Sequence, residues 1–376
     1  MTALRNDIDP DGLLEYSVVF TDRSLNHMSQ RFQGIMRDIS ATLREVYKAS
    51  AVALVPGGGT YGMEAVARQF AHDKHVLVVR NGFFSYRWSQ IFAAGKIPAS
   101  ETVLKAAPAE AGSDPAFAPP LVAHVVATIA KEKPALVFAP HVETASGIML
   151  PDDYIKAVAD ATHAVGGLFV LDCIASGTVW VDMEATGVDI LLSAPQKGWS
   201  ASPCAALVML SPRAEAQLEQ TQSSSFACDL KKWRQIMQAY ENGGHAYHAT
   251  MPTDAIRLFH ASMMEAKAIG FDKLKNDQLE LGRRARAVIA SKGFKSLAAP
   301  GFEAPGVVVS YTDDVGIHNS SKFVQAGFQT AAGVPLMCDE PADFRTFRIG
   351  LFGLDKLENI ERTVAYLEQA LDKVSG

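Results

Sequence analysis

Apolar runs alternate with amphipathic stretches along the first two-thirds of the chain. Runs rich in Val, Leu and Ala, each short enough for a strand, lie at residues 51–55, 76–79, 135–138, 168–171, 188–192 and 205–210. Most of the stretches between them have the apolar spacing of a helix, and so does the segment before the first strand, with Phe32, Met36, Ile39, Leu43 and Val46. Strands that alternate with helices are typical of a mainly parallel sheet covered on both faces. The pattern therefore predicts a three-layer α/β fold.

The pattern changes after Pro252. A long helical stretch follows, strands are expected at 307–311 and 347–349, and the last helix presents one apolar face from Leu357 onward. These elements indicate a second, smaller unit of the α+β kind. We expect an amino-terminal arm at 1–20, a large domain at 21–252 and a small carboxyl-terminal domain at 253–376.

Two of the predicted strands lead into ionisable residues. Asp172 follows the run at 168–171, and Lys197, between Gln196 and Gly198, follows the run at 188–192. Open α/β sheets bind ligands at the carboxyl ends of their strands. Pyridoxal phosphate chemistry needs this pair, because the carboxylate holds a proton on the ring nitrogen and the amine carries the cofactor as a Schiff base. Taken alone, the two segments fit a helix cap and a solvated lysine equally well.

A turn of three glycines joins the first strand to an Ala-rich helix. Gly58 and Gly59 let the backbone approach an anion closely, and the free amides of the helix start and the Thr60 hydroxyl would face it. Many tight strand-to-helix turns use glycine, so this segment indicates a phosphate site only in combination with the carboxylate and the amine.

Together these segments resemble the class V aminotransferases of pyridoxal phosphate fold type I, nearest to the alanine–glyoxylate and serine–pyruvate type. The resemblance covers most of the chain, in family order. Its blocks are 58–60, 81–87, 141–147, Asp172, Gln196 with Lys197, 247–252 and 347–350. The Gln-Lys pair and the Tyr-His-x-Thr-x-Pro block are the specific ones.

The resemblance implies a role for each matching residue. Lys197 would be the Schiff-base lysine and proton shuttle, Asp172 the partner of the pyridine nitrogen, and Arg348 the grip on the substrate carboxylate. The further cofactor contacts that it implies are Gly58, Gly59, Thr60 and Gln196 at the phosphate, Phe84 on the ring face and Thr144 near the phenolic oxygen. The histidines His141 and His248 are interpreted as structural, because lysine already moves the proton.

Two further residues point to an assembly. Tyr247 and Thr250 resemble residues that reach the phosphate from a neighbouring subunit, so the resemblance implies a homodimer with shared active sites.

The chain also departs from the family. Residues 15–29 replace a Gly- and Pro-rich loop, Phe84 stands where the nearest type has Trp, and Gly58 stands where serine is common. The amino donor and the oxo acid acceptor therefore stay open.

The expected reaction is transamination between a small amino acid of the alanine or serine type and a small 2-oxo acid such as glyoxylate or pyruvate. One alternative is a lyase of the cysteine desulfurase kind, with Cys338 as the nucleophilic thiol. Another is a non-catalytic module that binds the cofactor to sense amines. The sensor is the weaker alternative, because nothing before the first strand resembles a winged helix.

Net charge and apolar content argue against a nucleic acid or a membrane as the partner. The chain has 376 residues and a net charge of -6, which favours neither a nucleic acid nor an anionic membrane surface. No apolar stretch approaches the roughly 20 residues that cross a bilayer, and the amino terminus lacks the apolar core of a secretion signal. The 4 cysteines lack metal-binding spacing. We expect a cytoplasmic enzyme without a metal.

Overall fold

A seven-stranded sheet forms the centre of the molecule in the computed structural model, which describes residues 5–375. Its strands, in chain order, are β1 Ala51–Pro56, β2 His75–Arg80, β3 Ser100–Lys105, β4 Leu136–Pro140, β5 Leu168–Asp172, β6 Ile190–Ser193 and β7 Ala205–Leu210. In space the order is β1-β7-β6-β5-β4-β2-β3. Strand β7 is antiparallel to both of its neighbours, and the other pairs are parallel.

The central strands are buried over their whole length. Every residue of β4, β5, β6 and β7 is buried, as expected of continuous Val, Leu and Ala runs covered on both faces. The α/β fold with a mainly parallel sheet is therefore confirmed. The hydrophobic pattern did not predict strand β3, because β3 is an edge strand with a largely polar sequence and no fully buried residue.

Helices surround this sheet and build the second unit. Those up to the end of the sheet are α1 Gln30–Tyr47, α2 Gly59–Phe70, α3 Phe83–Gly95, α4 Val122–Glu132, α5 Asp152–Ala164, α6 Met183–Thr186, α7 Pro212–Gln220 and α8 Leu230–Glu241. Those that follow are α9 Thr253–Ile269, α10 Phe271–Ser291, α11 Val315–His318, α12 Ser321–Gln325, α13 Leu354–Glu358 and α14 Ile360–Ser375. Within residues 5–375, no helix has the length and hydropathy that a bilayer crossing requires.

The second unit has its own antiparallel sheet. Strand β10, Thr346–Gly350, lies between β8, Val307–Tyr311, and β9, Ala331–Ala332. A separate hydrophobic core forms here, with α10 packed against α14. The predicted terminal helix is interrupted at Asn359, whose backbone is not helical. Helix α9 contributes to both cores, so the boundary at Pro252 stays a prediction.

Two short strand pairs complete the fold. Ala107–Pro108 pairs with Phe117–Ala118, and Val142–Glu143 pairs with Ile148–Met149. The second pair follows β4 directly, so the block at 141–147 lies at the carboxyl edge of the parallel strands. It borders the end of β5 and the residues that follow it, because the His141 amide donates to the Asp172 carbonyl and the His141 ring contacts Ser176.

Candidate active site

The parallel pairing of β5 with β6 places Asp172 and Lys197 at the same edge of the sheet. Asp172, the last residue of β5, lies opposite Leu192 of β6. The chain leaves β6 and forms a turn that carries Lys197. Gly198 is required there, because a Cβ atom at this position would lie 2.0 Å from the carbonyl oxygen of Gly177. The backbone thus fixes where the lysine side chain starts.

Asp172 is a buried carboxyl group. One of its oxygens accepts a hydrogen bond from the Ile174 amide at 2.9 Å. Burial raises the pKa of Asp172 to about 7, the charge of Glu143 adds to this rise, and Arg87 and Lys197 oppose it. A cationic ring nitrogen placed beside this carboxylate would supply the opposite charge that favours its ionised form.

Lys197 carries an activated amine. Burial, and then the positive charge of Arg348, lower its pKa, while Asp172 raises it. The Nζ atom lies 5.1 Å from the centre of the Phe352 ring. The neutral amine is the form that attacks a carbonyl carbon and that takes up a proton. The surroundings of Lys197 therefore increase its reactive fraction near neutral pH.

The start of α2 offers a place for a phosphate. Gly58 precedes the helix and gives no side-chain cap, and a Cβ atom there would meet nothing within 4 Å. At Gly59, a Cβ atom would lie 2.4 Å from Cδ1 of Ile174, two residues after Asp172. Glycine at 59 therefore brings the helix start against the loop after β5. Open space, free amides and the positive end of the helix suit an anion.

Phe84 is the second residue of α3, and a buried carboxylate holds it. Glu143 accepts hydrogen bonds from the amides of Phe84 at 3.2 Å and Ser85 at 2.8 Å, and from the Ser85 hydroxyl at 2.7 Å. The Ala145 amide donates to the same carboxylate at 2.9 Å. Glu143 thus caps α3 and sets the position of the aromatic ring.

Sequence reasoning did not single out Glu143. The residue lies in the block at 141–147, of which only Thr144 was named for a role. Thr144 is itself buried beside Glu143. The sequence did offer one signal for Glu143, an acidic residue shortly after an apolar strand. A carboxylate in such a place is rarely buried unless its oxygens accept hydrogen bonds.

Arg348 reaches the same place from the second unit. It lies on β10, and its Nε donates to the Ala332 carbonyl at 2.8 Å, which leaves its two terminal nitrogens for a carboxylate. Its Cζ lies 5.5 Å from the centre of the Phe84 ring. Arg345, three residues earlier in the chain, is instead exposed at an acidic cleft with Asp114 and Asp343. Of these two arginines, Arg348 is the one next to Phe84, and its role at a substrate carboxylate stays a prediction.

The remaining predicted contacts are more exposed. Gln196 is exposed in the turn that carries Lys197. The hydroxyls of Tyr247 and Thr250 lie 3.1 Å apart on the surface, with the Tyr247 ring 5.7 Å from His27. Their predicted reach into a partner's site concerns a second chain and stays a prediction.

The two histidines make structural contacts. Nδ1 of His141 lies 2.7 Å from the Ser176 hydroxyl, and burial lowers the pKa of His141 to about 3. Nε2 of His248 lies 2.8 Å from the Phe226 carbonyl oxygen. The partner of each imidazole is thus a hydroxyl or a backbone carbonyl of the scaffold.

Cys338 does not have the surroundings of a nucleophile. Its thiol is buried and donates to the Arg80 carbonyl, and burial raises its pKa to about 12. The carboxylate of Glu340 accepts hydrogen bonds from the amides of Leu336, Met337 and Cys338 and so holds this loop in place. A reactive cysteine needs an accessible thiolate, which this loop disfavours.

Known proteins share this sequence and fold. The model of the family described as Aminotransferase class-V matches residues 13–334. The alanine–glyoxylate aminotransferase 1 of Saccharomyces cerevisiae is 27% identical over 266 residues, 66% of this chain and 66% of that protein. The L-aspartate–glyoxylate aminotransferase of Paracoccus denitrificans is 26% identical over 278 residues, 73% of this chain and 67% of that protein.

A solved structure shows the same architecture. The alanine–glyoxylate aminotransferase of a Nostoc species superposes with a TM-score of 0.76 at 20% identity, covering 92% of this chain and 88% of that one. The fold is thus that of the fold type I transferases. The chain belongs to the class-V aminotransferase family, so the resemblance drawn from the sequence is confirmed. The match to the yeast relative spans less than two-thirds of that protein's length.

The burial of Asp172 makes a prediction for the cofactor-free protein. Since the pKa of Asp172 in the folded protein, about 7, is above its ordinary value, the ionised carboxylate costs stability at high pH. Asp172→Asn should therefore stabilise the cofactor-free fold by on the order of 1–4 kcal/mol at pH 8. The gain should shrink as the pH falls through roughly 7 to 4, as measured by denaturant unfolding.

Asp189 provides the matched control. It is also a buried carboxylate, but it accepts hydrogen bonds from the Phe169 amide and the Ser211 hydroxyl and lies 2.7 Å from Nε2 of His163. Asp189→Asn should destabilise the protein, because it disrupts a bonded network. A loss of stability in Asp172→Asn at pH 8 would contradict our account of its burial.

Proposed function

We propose that this chain catalyses a pyridoxal phosphate-dependent transamination between a small amino acid of the alanine or serine type and glyoxylate or pyruvate. The observation that carries the proposal is the placement of Lys197 beside Asp172 at one sheet edge, with Arg348 facing them from the second unit. Similarity to aminotransferases named for alanine, aspartate and glyoxylate supports the substrate class.

The residues present fit the cofactor. Gly58, Gly59, Thr60 and Gln196 would hold its phosphate, and Phe84 and Thr144 would contact its ring and phenolic oxygen. Asp172 would hold a proton on the ring nitrogen. When bound, pyridoxal 5′-phosphate supplies an electron sink for the electron pair left at the substrate α-carbon. The donor set, a buried carboxyl with a raised pKa and an amine with a lowered one, suits that chemistry.

Substrate binding and proton transfer are carried out by different side chains of this protein. Arg348 binds the substrate carboxylate through its two free terminal nitrogens, which fixes the α-carbon relative to Lys197. The neutral amine of Lys197 takes the proton from the substrate α-carbon. The same amine then delivers a proton to the position of the cofactor's C4′ atom. Phe352, against the lysine, forms an apolar wall that suits a small side chain. Reversal with a second oxo acid completes the cycle.

The lyase alternative has weaker support. A desulfurase requires a thiolate that reaches the substrate, and Cys338 is buried with a raised pKa on a bonded loop. Release of sulfide from cysteine that disappears in Cys338→Ala, without any transamination, would favour the lyase instead.

A half-reaction tests the proposal directly. The purified, cofactor-loaded protein given L-alanine without an acceptor should release one pyruvate per active site, and glyoxylate should then be converted to glycine. Lys197→Ala should lower the rate by at least about 10³-fold, since it removes both the attachment group and the proton carrier.

Lys356 offers a matched control for this experiment. Its Nζ donates to the Phe352 carbonyl at 2.8 Å, so it lies near the same ring without the predicted role. Lys356→Ala should keep the wild-type rate within a few-fold. Appreciable turnover in Lys197→Ala would show that a different lysine does the chemistry.

We also propose a cytoplasmic homodimer in which Tyr247 and Thr250 reach the partner's cofactor phosphate. Tyr247 is exposed, and so is Phe226, whose ring centre lies 4.7 Å from that of the neighbouring His248; this supports a face that a second copy covers. Tyr247→Phe should speed cofactor loss by about 10-fold without changing the stability of the cofactor-free protein.

Tyr366 is the control for the dimer proposal, because its exposure, 54%, is close to that of Tyr247, 55%, but it lies on α14. Tyr366→Phe should leave cofactor retention unchanged. Sedimentation measured on the same samples gives the assembly state. A monomer that retains the cofactor normally would contradict shared sites.

A further inference from the structure

Arg87 lies beside the start of α2 and forms no ion pair among residues 5–375. It is half-buried on α3, and its Nη1 donates to the Thr60 hydroxyl at 3.1 Å. Arg68 and Arg234, which are also partly buried on helices, each pair with glutamates. Arg87 is thus a partly desolvated cation that bonds to a hydroxyl but has no carboxylate partner within residues 5–375.

Within the part of the chain that the structure describes, most of the hydrogen-bonding capacity of Arg87 is unused. A guanidinium carries five N–H donors in a planar fork, and the bond to Thr60 takes one of them. Placing a cation in partial burial without an anion costs free energy. An anionic ligand at the fork would offset that cost.

Three groups of the candidate site surround this guanidinium. Thr60 is the second residue of α2, at the predicted phosphate end. The Phe84 ring centre lies 5.2 Å from Cζ of Arg87, and the charge of Arg87 lowers the pKa of Asp172. Beside the helix start, the space that a Cβ atom of Gly58 would enter is open. An anion between the α2 amides and Arg87 would have donors on two sides.

We infer that Arg87 binds the phosphate of the cofactor, pairing its guanidinium with the phosphate dianion beside the start of α2. This inference rests on the proposed function. Gly58 brings no hydroxyl to the helix start, so Thr60, Gln196 and Arg87 would be the side-chain donors of this chain at that end. Arg87 supplies there the full positive charge that backbone amides do not.

The alternative role for Arg87 is structural. In that role, the guanidinium over the Phe84 ring holds the ring in place and does not contact the phosphate. The two roles differ in what they do to a ligand that lacks the phosphate. Loss of ring support weakens pyridoxal and pyridoxal 5′-phosphate alike, whereas loss of a phosphate contact weakens only the second.

The experiment measures dissociation constants of both ligands, and of inorganic phosphate, on cofactor-free protein by fluorescence. Arg87→Gln should weaken pyridoxal 5′-phosphate about 10- to 100-fold and inorganic phosphate in parallel, while pyridoxal changes less than about twofold. Arg87→Lys keeps the charge but loses the planar fork of donors. Its dissociation constant for pyridoxal 5′-phosphate should lie between those of the wild type and Arg87→Gln. Circular dichroism checks that each variant is folded.

Arg348→Gln is the matched control, because Arg348 lies at a similar distance from the Phe84 ring, 5.5 Å, but is bonded to Ala332. It should leave the ratio of the two dissociation constants unchanged. Equal losses for both ligands in Arg87→Gln, or no loss for either, would overturn the inference and leave the proposed function intact. Wild-type protein that binds neither ligand would overturn both.

Discussion

The pairing of two parallel strands is the constraint on which the candidate active site depends most. Because β5 and β6 run in the same direction with Asp172 opposite Leu192, a carboxylate and the turn with the lysine must meet at one edge of the sheet. Neither strand could shift by one residue without turning its buried side chains to the opposite face. The hydrophobic core thus fixes the spacing of the two reactive groups, and the surrounding helices add the other contacts.

That edge concentrates ionisable groups in a poorly solvated place. Burial raises the pKa of Asp172 and of Glu143, and it lowers the pKa of Lys197 and Arg348. Glu143 is satisfied by four hydrogen bonds and serves as a fixed part of the scaffold. Asp172 and Lys197 have weaker support and so are available to a ligand. A molecule that brings a protonated ring nitrogen and an anion, as in our proposal, would suit the charges at this edge.

Sequence reasoning found the elements that carry their own local signal. The strands before Asp172 and Lys197 are continuous apolar runs, and the glycines before α2 mark a turn, so these residues could be placed from their neighbours alone. Glu143 and Arg87 could not, because their roles arise from Ser85, 58 residues away, and from Thr60, 27 residues away. Edge strand β3 and the reversed direction of β7 likewise depend on tertiary pairing. Tyr247 and Thr250 would depend on a second chain.

The central claim is that Lys197, next to Asp172, is the residue to which the cofactor attaches. Reduction of the cofactor-loaded protein with borohydride, followed by digestion and mass spectrometry, identifies the lysine that carries a pyridoxyl group. Our account predicts the modification on Lys197, and its loss from that peptide when an amino donor is added before reduction. A pyridoxyl group on any other lysine, or none on a protein that binds the cofactor, would contradict it.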